Sequence, residues 1–328
     1  MKNKIFYLSI IIIFFGSPSY SLNKYFNFKT KNIEITDNGN LINASDGKAV
    51  SENGNFEIIA DNFQYNNTSE ILNISGNAII YIKEKNLEIK FNKGMVDPKK
   101  FIFNAFGNVK IKNLRRNLEI NTDKINFNYK EDILLSETKS TINDNFQNVL
   151  IADKFHYQIQ KDLLKIQELK FTDYNDNLLE LSTAYFNTKT NNLFGKDVLV
   201  KLNNKTFNEK NEPRLKGNSL KNNIDSTEIV KGVFTTCKKR DGCPPWQLSA
   251  NKIEHDKKER KIKYSDAILK IYDYPVVYFP KFFHPDPTVN RQSGFLTPTI
   301  KRTSNKKNFF SLPYYMVISD NKDATFSP

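Results

Sequence analysis

Apolar and polar residues along this chain alternate with a period of two, and a helical period is hard to find. Leu87, Ile89 and Phe91 alternate with polar neighbours, as do Leu118 and Ile120, then Ile125, Phe127 and Tyr129. The stretches Asn77-Ala78-Ile79-Ile80-Tyr81-Ile82 and Asp197-Val198-Leu199-Val200 are rich in β-forming residues and flanked by Asn, Asp and Gly. The pattern predicts strands nearly throughout. It also predicts corners. Leu118 and Ile120 stand at even positions and Ile125 to Tyr129 at odd ones, so a strand that keeps one face inward across them needs a bulge or bend. Such bends let a sheet fold over into a V-shaped sandwich or jelly roll.

The alternation is organised in repeats. Ala60-Asp61-Asn62-Phe63, Thr122-Asp123-Lys124-Ile125, Ala152-Asp153-Lys154-Phe155 and Ser182-Thr183-Ala184-Tyr185 share a pattern, with Phe91-Asn92-Lys93-Gly94 as a degenerate copy. Their second positions fall at 61, 92, 123, 153 and 183, steps of 31, 31, 30 and 30, with an echo at Ala250-Asn251-Lys252-Ile253. Gly76-Asn77 and Gly107-Asn108 keep the same 31-residue step. A unit of this length, repeated five times or more, predicts a stack of β-modules sharing one continuous core. Phe63, Ile125, Phe155 and Tyr185 hold the equivalent place and are expected to form one apolar row inside it, with ordinary core packing as the plainer role.

From about residue 231 the character changes. The stretch from Cys237 to Pro298 holds most of the prolines, both cysteines and the single Trp. Two further strands are predicted, Gly294 to Thr303 and Phe309 to Ile318, with turns at Asn305-Lys306-Lys307 and at Ser319 to Asp323. The second is apolar on nearly both faces, which suits a barrel strand in a membrane better than the edge of a soluble sheet. At the other end, Lys2 and Lys4 precede a largely apolar run from Ile5 to Phe15, and Ser19-Tyr20-Ser21 offers a cleavage site. A run of eleven residues is too short to span a bilayer, so residues 1–21 read as an export signal.

Composition narrows the class. A hydrophobic share of 39% with 13% aromatics excludes a disordered chain, and 12 Gly with 12 Pro exclude a collagen-like one. The length of 328 residues suggests about two domains. Mean hydropathy of −0.56 excludes a bundle of membrane helices but not a β-barrel. Lys and Arg number 49 against 36 Asp and Glu, a net +13, which in an exported chain argues for an anionic extracytoplasmic partner and against nucleic acid.

No catalytic constellation emerges. His156, His255 and His284 fit no HExxH or zinc-finger spacing. His284-Pro285-Asp286 spells a co-chaperone tripeptide, but that motif needs a helical hairpin, which Pro280, Pro285 and Pro287 preclude. A P-loop, a dinucleotide fingerprint and a nucleophile elbow are all missing. The expectation is a protein that is not an enzyme, with no catalytic residue, metal or cofactor. Cys237 and Cys243, with five residues between them, predict disulfide chemistry in an exported chain. A local bond between them and a bond from one of them to a cysteine beyond Pro328 both remain open.

Several blocks in fixed order carry a family resemblance: Phe234-Thr235-Thr236-Cys237, Trp246-Gln247-Leu248-Ser249-Ala250, Ile253-Glu254-His255-Asp256, Pro275 to Pro280, and Arg291-Gln292-Ser293-Gly294-Phe295-Leu296-Thr297-Pro298. Residues 231–328 resemble the lipopolysaccharide (LPS)-assembly outer-membrane family LptD, also called organic-solvent-tolerance proteins. Residues 22–230 resemble its OstA-type periplasmic part through the repeat alone. The resemblance implies an all-β chain: a signal peptide over 1–21, a periplasmic OstA-type β-jelly-roll over 22–230, its end and a junction over 231–290, and the first strands of an outer-membrane β-barrel over 291–328. It implies LPS transport without covalent chemistry, with acyl chains along Phe63, Ile125, Phe155 and Tyr185 and basic residues meeting the lipid's phosphates. The implied partners are LPS, the outer membrane, a plug lipoprotein of the LptE type and a periplasmic bridge protein of the LptA type. Pro298 and Pro313 match prolines of the family's opening strands. Lacking a ladder donor, they mark a candidate lateral gate. A soluble periplasmic bridge of the same fold and a surface β-solenoid are the competing readings.

Overall fold

The computed structural model describes residues 25–145, 148–172, 176–203, 212–239, 244–285, 289, 291, 293–296, 299–302 and 308–327. Strands β1 (Phe26–Thr36), β2 (Leu41–Ser51), β3 (Phe56–Asn66), β4 (Ile71–Ile82), β5 (Leu87–Asp97), β6 (Ile102–Asn113) and β7 (Leu118–Asn128) form an antiparallel meander, each paired with the next. The next two passes are broken. β8 (Ile133–Ser136) and β9 (Ser140–Asn143) both pair with β7, while β10 (Val149–Ala152) pairs with β9 and β11 (Lys154–Gln158) with β8. β12 (Leu163–Thr172) takes both β10 and β11. From there β13 (Leu178–Asn187), β14 (Asn192–Lys201), β15 (Arg214–Asn222), β16 (Ser226–Thr235), β17 (Trp246–Asp256), β18 (Lys261–Ile271) and β19 (Tyr274–Pro285) complete a 19-stranded sheet.

The predicted corners lie in the middle of each pass. In β3 the buried set changes parity from Ile58 and Ala60 to Phe63 and Tyr65, and in β7 from Leu118 and Ile120 to Ile125 and Phe127. β4 and β6 meet the same bend differently: each inserts two residues, Gly76-Asn77 and Gly107-Asn108, and keeps its parity. All four have positive φ. One left-handed residue marks the bend in β2 (Asp46), β12 (Glu168), β14 (Asp197), β16 (Lys231) and β18 (Asp266). Asp and Asn tolerate that conformation better than most side chains, which is why they recur there.

Bending every pass at the same level folds the sheet onto itself. Both halves of a strand then turn their apolar residues inward. One core runs from Phe26 to Ile229, and a second cluster gathers Leu248, Ala250, Ile253, Tyr264 and Ala267. The sheet does not break at residue 230, which lies within β16, although the core divides beyond it.

Past Pro285 the pairing changes. β20 (Gly294–Phe295), β21 (Thr299–Arg302), β22 (Asn308–Ser311), β23 (Tyr314–Ser319) and β24 (Lys322–Phe326) form two small sheets, β20-β23-β24 and β21-β22. The single strand expected over Phe309 to Ile318 is thus two, parted at Leu312-Pro313. Pro313 has no N–H for a ladder; its carbonyl instead accepts a bond from the Leu296 N–H at 2.8 Å. Pro298, Cys243 and the expected export signal lie outside the described residues.

Candidate functional site

The interior between the folded halves is where the apolar row of the repeats is expected. Phe63, Ile125 and Phe155 face it and are 2%, 0% and 3% exposed. Tyr185 does not. It is 42% exposed, because β13 buries Leu179, Leu181, Ala184 and Phe186 and turns its corner at Ser182-Thr183. The fifth repeat is therefore one residue out of step with the others, and Ala184 is the structural equivalent of Phe63. The expectation for Tyr185 is corrected on that ground. The sixth copy keeps step, with Ala250 and Ile253 both buried around Asn251-Lys252.

The apolar row is interrupted where the passes break. Thr122 Oγ1 lies 2.9 Å from Ser136 Oγ, Thr138 Oγ1 and Ser140 Oγ, and Ser140 Oγ donates to the Thr138 carbonyl at 2.7 Å. Thr122, Ser136 and Ser140 are buried. They satisfy one another, so the desolvation cost of burying them is offset within the cluster.

Opposite the corner, the fold-over brings loops from the two ends of the strands together. The loops before β3, β5, β7 and β10 belong to one layer, and those after β7, β11 and β13 to the other. Four kinds of contact join them. Phe56 meets Tyr129 edge-on with ring centroids 4.8 Å apart. Lys85 Nζ lies 2.6 Å from Asp132 Oδ1, whose other oxygen accepts from Gln160 Nε2 at 2.8 Å. Arg116 grips Asp162 with two bonds, Nε to Oδ1 at 2.7 Å and Nη2 to Oδ2 at 2.5 Å, while Arg115 Nη2 reaches Oδ1 at 3.0 Å and the Ile159 carbonyl at 3.2 Å. Asn113 Nδ2 donates to the Tyr157 hydroxyl at 3.0 Å, and Asn148 Nδ2 to Asn191 Oδ1 at 3.3 Å. Asn113, Asp132, Asn148 and Asp162 are among the few buried polar residues, so the seam is, with the Thr122 cluster, one of the places where the sheet buries polarity. Burial pushes the Asp162 carboxyl up, but the Arg116 bonds and the charges of both arginines outweigh it and hold it below the usual carboxylate range. Burial also raises the Tyr157 hydroxyl.

Elsewhere the chemistry is sparse. Among the described residues no group of three or more His, Cys, Asp or Glu is arranged to hold a metal. His284 Nε2 and the Tyr264 hydroxyl are 3.0 Å apart, an interaction that fastens β19 to β18. Cys237 is half-buried and without a disulfide among the described residues, its sulfur 3.8 Å from the Trp246 carbonyl. A concavity of about 780 Å³ on the N-terminal half of the sheet is lined largely by polar side chains such as Asn43, Gln64, Asn73 and Lys93. Both sheet edges carry apolar residues: Ile33 and Ile35 on β1, 51% and 48% exposed, and Tyr274 and Val276 on β19, 78% and 56% exposed.

No family model matches the chain. The LPS-assembly protein LptD of Yersinia pestis (strain Antiqua) is 38% identical over 102 residues, covering 31% of this chain and 13% of that protein. LptD of Hahella chejuensis is 28% identical over 183 residues, 55% of this chain and 22% of the relative. LptD of Yersinia enterocolitica is 29% identical over 221 residues, 64% and 27%. The chain thus spans only 13–27% of the length of these relatives. A crystal structure of LptH, described as the LptA homologous periplasmic component of the conserved lipopolysaccharide transport device from Pseudomonas aeruginosa, is 10% identical. That match covers 40% of this chain and 76% of LptH with a TM-score of 0.20. By its sequence the chain resembles the N-terminal part of LptD-type LPS-assembly proteins.

Proposed function

We propose that this chain conducts lipopolysaccharide without chemical change, holding the acyl chains between the two layers of the sheet and leaving the sugars outside. The observation that carries the reading is one apolar interior from Phe26 to Ile229 whose side opposite the corner is closed by side-chain contacts instead of backbone. Each methylene moved from water into such an interior is worth about 0.8 kcal/mol, so a set of fatty chains has ample reason to enter. The free β1 edge, with Ile33 and Ile35 exposed, suits a periplasmic bridge of the LptA type that adds a strand and extends the interior. Residues 291–328 are read as the opening strands of an outer-membrane barrel, which a plug lipoprotein of the LptE type would fill. Pro298 and Pro313 would weaken its closing seam into a lateral gate. Residues 1–21 would serve as the cleaved export signal, and Cys237 would be oxidised, to Cys243 or to a cysteine of the barrel.

Photo-crosslinking residues test the interior directly. Placed at Phe63, Ile125 and Phe155 they are expected to capture LPS, and placed at Asn62, Lys154 and Tyr185 they are not. Equal capture at both sets, or none at the first, would leave these side chains as ordinary core.

A further inference from the structure

We propose that Lys85, Arg115 and Arg116 form a phosphate-binding row for the lipid headgroup, which Asp132 and Asp162 occupy while the seam is closed. The inference rests on the reading that acyl chains enter the interior. Most ion pairs of this sheet join neighbours within one layer, as Lys48 with Glu57 or Lys112 with Glu119 do. The seam pairs are different. Their cations sit on the β4–β5 and β6–β7 loops, their carboxylates on the β7–β8 and β11–β12 loops of the facing layer. Parting the layers therefore separates every one of these cations from its carboxylate.

The two partners are also unequally placed. The Asp132 and Asp162 side chains are 8% and 9% exposed, whereas Lys85, Arg116 and Arg115 are 16%, 20% and 41% exposed. The cations line the rim and the carboxylates plug it from behind. Acyl chains lodged in the interior must pass between the layers at this rim, which puts the headgroup they hang from beside the row. Arg116 already presents the two-bond fork that fits a carboxylate or a phosphate equally well. The loops carrying Lys85 and Arg115-Arg116 are two strand spacings apart, about 10 Å, which suits a headgroup with two separated phosphates better than one with a single charge. The carboxylates serve as internal stand-ins that keep the row paired until a phosphorylated lipid displaces them.

The test uses the full chain with a photo-crosslinking residue at Ile125, presented with purified LPS or with the same LPS after enzymatic dephosphorylation. The parent is expected to bind the phosphorylated form at least tenfold tighter. Combining Lys85→Gln, Arg115→Gln and Arg116→Gln with Asp132→Asn and Asp162→Asn leaves no buried charge orphaned and is expected to abolish that preference. Asp162→Asn alone frees both arginines and is expected to tighten binding of the phosphorylated form several-fold and leave the dephosphorylated form unchanged, whereas loosening a merely structural clasp would admit both forms alike. Should the neutral seam fail to fold, Arg115→Gln and Asp162→Asn carry the test, with opposite shifts expected. An unchanged preference with lipid still captured at Ile125 would overturn the phosphate row and leave the transport reading standing. No capture at Ile125 in the parent would remove that reading and the row with it.

Discussion

Gly76 shows how much of this fold depends on single backbone angles. Its φ is +81°, and a Cβ there would overlap the Asp61 carboxylate, which already accepts from Asn77 Nδ2 at 2.9 Å. The corner of one strand is thus seated against the corner of the next. Gly76→Ala is expected to lose about 2 kcal/mol or more, from left-handed strain plus the collision, read as a lower midpoint in urea. Gly54→Ala is the control: φ is +71° but nothing lies within 4 Å, so strain alone should cost about 1 kcal/mol. Equal losses would mean that the Asp61 contact carries no weight. The 31-residue step of Gly76 and Gly107 was visible in the sequence, and so was the parity change from Leu118 to Ile125. What the sequence hid was the division of labour, in which β2, β3, β5, β7, β12, β13 and β14 change parity and β4 and β6 absorb the bend with two extra residues. Tyr185 was misplaced for a related reason. Matching Ser182-Thr183-Ala184-Tyr185 to Ala60-Asp61-Asn62-Phe63 preserved a spacing near 30, but the bend in β13 falls one residue earlier, and with period two a shift of one exchanges inside for outside.

At the scale of elements, the seam was beyond sequence reading. Asp162 is 46 and 47 residues from Arg116 and Arg115, and nothing local couples them until the strands bend and the loops meet. The break between β8 and β9 was equally hidden, since Ser136, Thr138 and Ser140 look like an ordinary polar turn until Thr122 is brought beneath them. The seam makes stability depend on acid in a direction that can be worked out. The Asp162 carboxyl titrates below its ordinary value of 3.8 when folded, so the unfolded chain binds its proton first as pH falls. Its contribution is whole above that ordinary value and is lost as pH drops through the lower folded value. Urea unfolding between pH 5 and pH 2.5 should therefore show a steeper acid limb in the parent than in Asp162→Asn, which has no such proton to take up. Parallel limbs would mean that the Arg116 fork adds nothing to stability.

Across the whole molecule, the same backbone that makes a continuous sheet leaves one long side, opposite the corner, held by side chains. The corner is closed by covalent chain in every pass, and the two edge strands, β1 and β19, have no partner on their outer side among the described residues and expose Ile33, Ile35, Tyr274 and Val276. Between those two ends the layers are joined along the seam, whose contacts from Phe56–Tyr129 to Asn148–Asn191 extend along the stack, and a sideways entry would run through it. With Phe63, Ile125 and Phe155 at most 3% exposed, the closed form has no room for a lipid, and the layers must separate to admit one. Fastening them is the direct test. In a background with Cys237→Ser and Cys243→Ser, Asn148→Cys and Asn191→Cys place two thiols where side chains now meet, and a short cleavable thiol-to-thiol linker can join them. Linked protein is expected to lose most LPS capture by a photo-crosslinking residue at Ile125, and cleaving the linker should restore it. Each single-cysteine variant treated with the same linker should capture lipid as the parent does. Undiminished capture in the linked protein would mean that lipid enters along the stack from an open end, and the seam would then be a fixed structural closure.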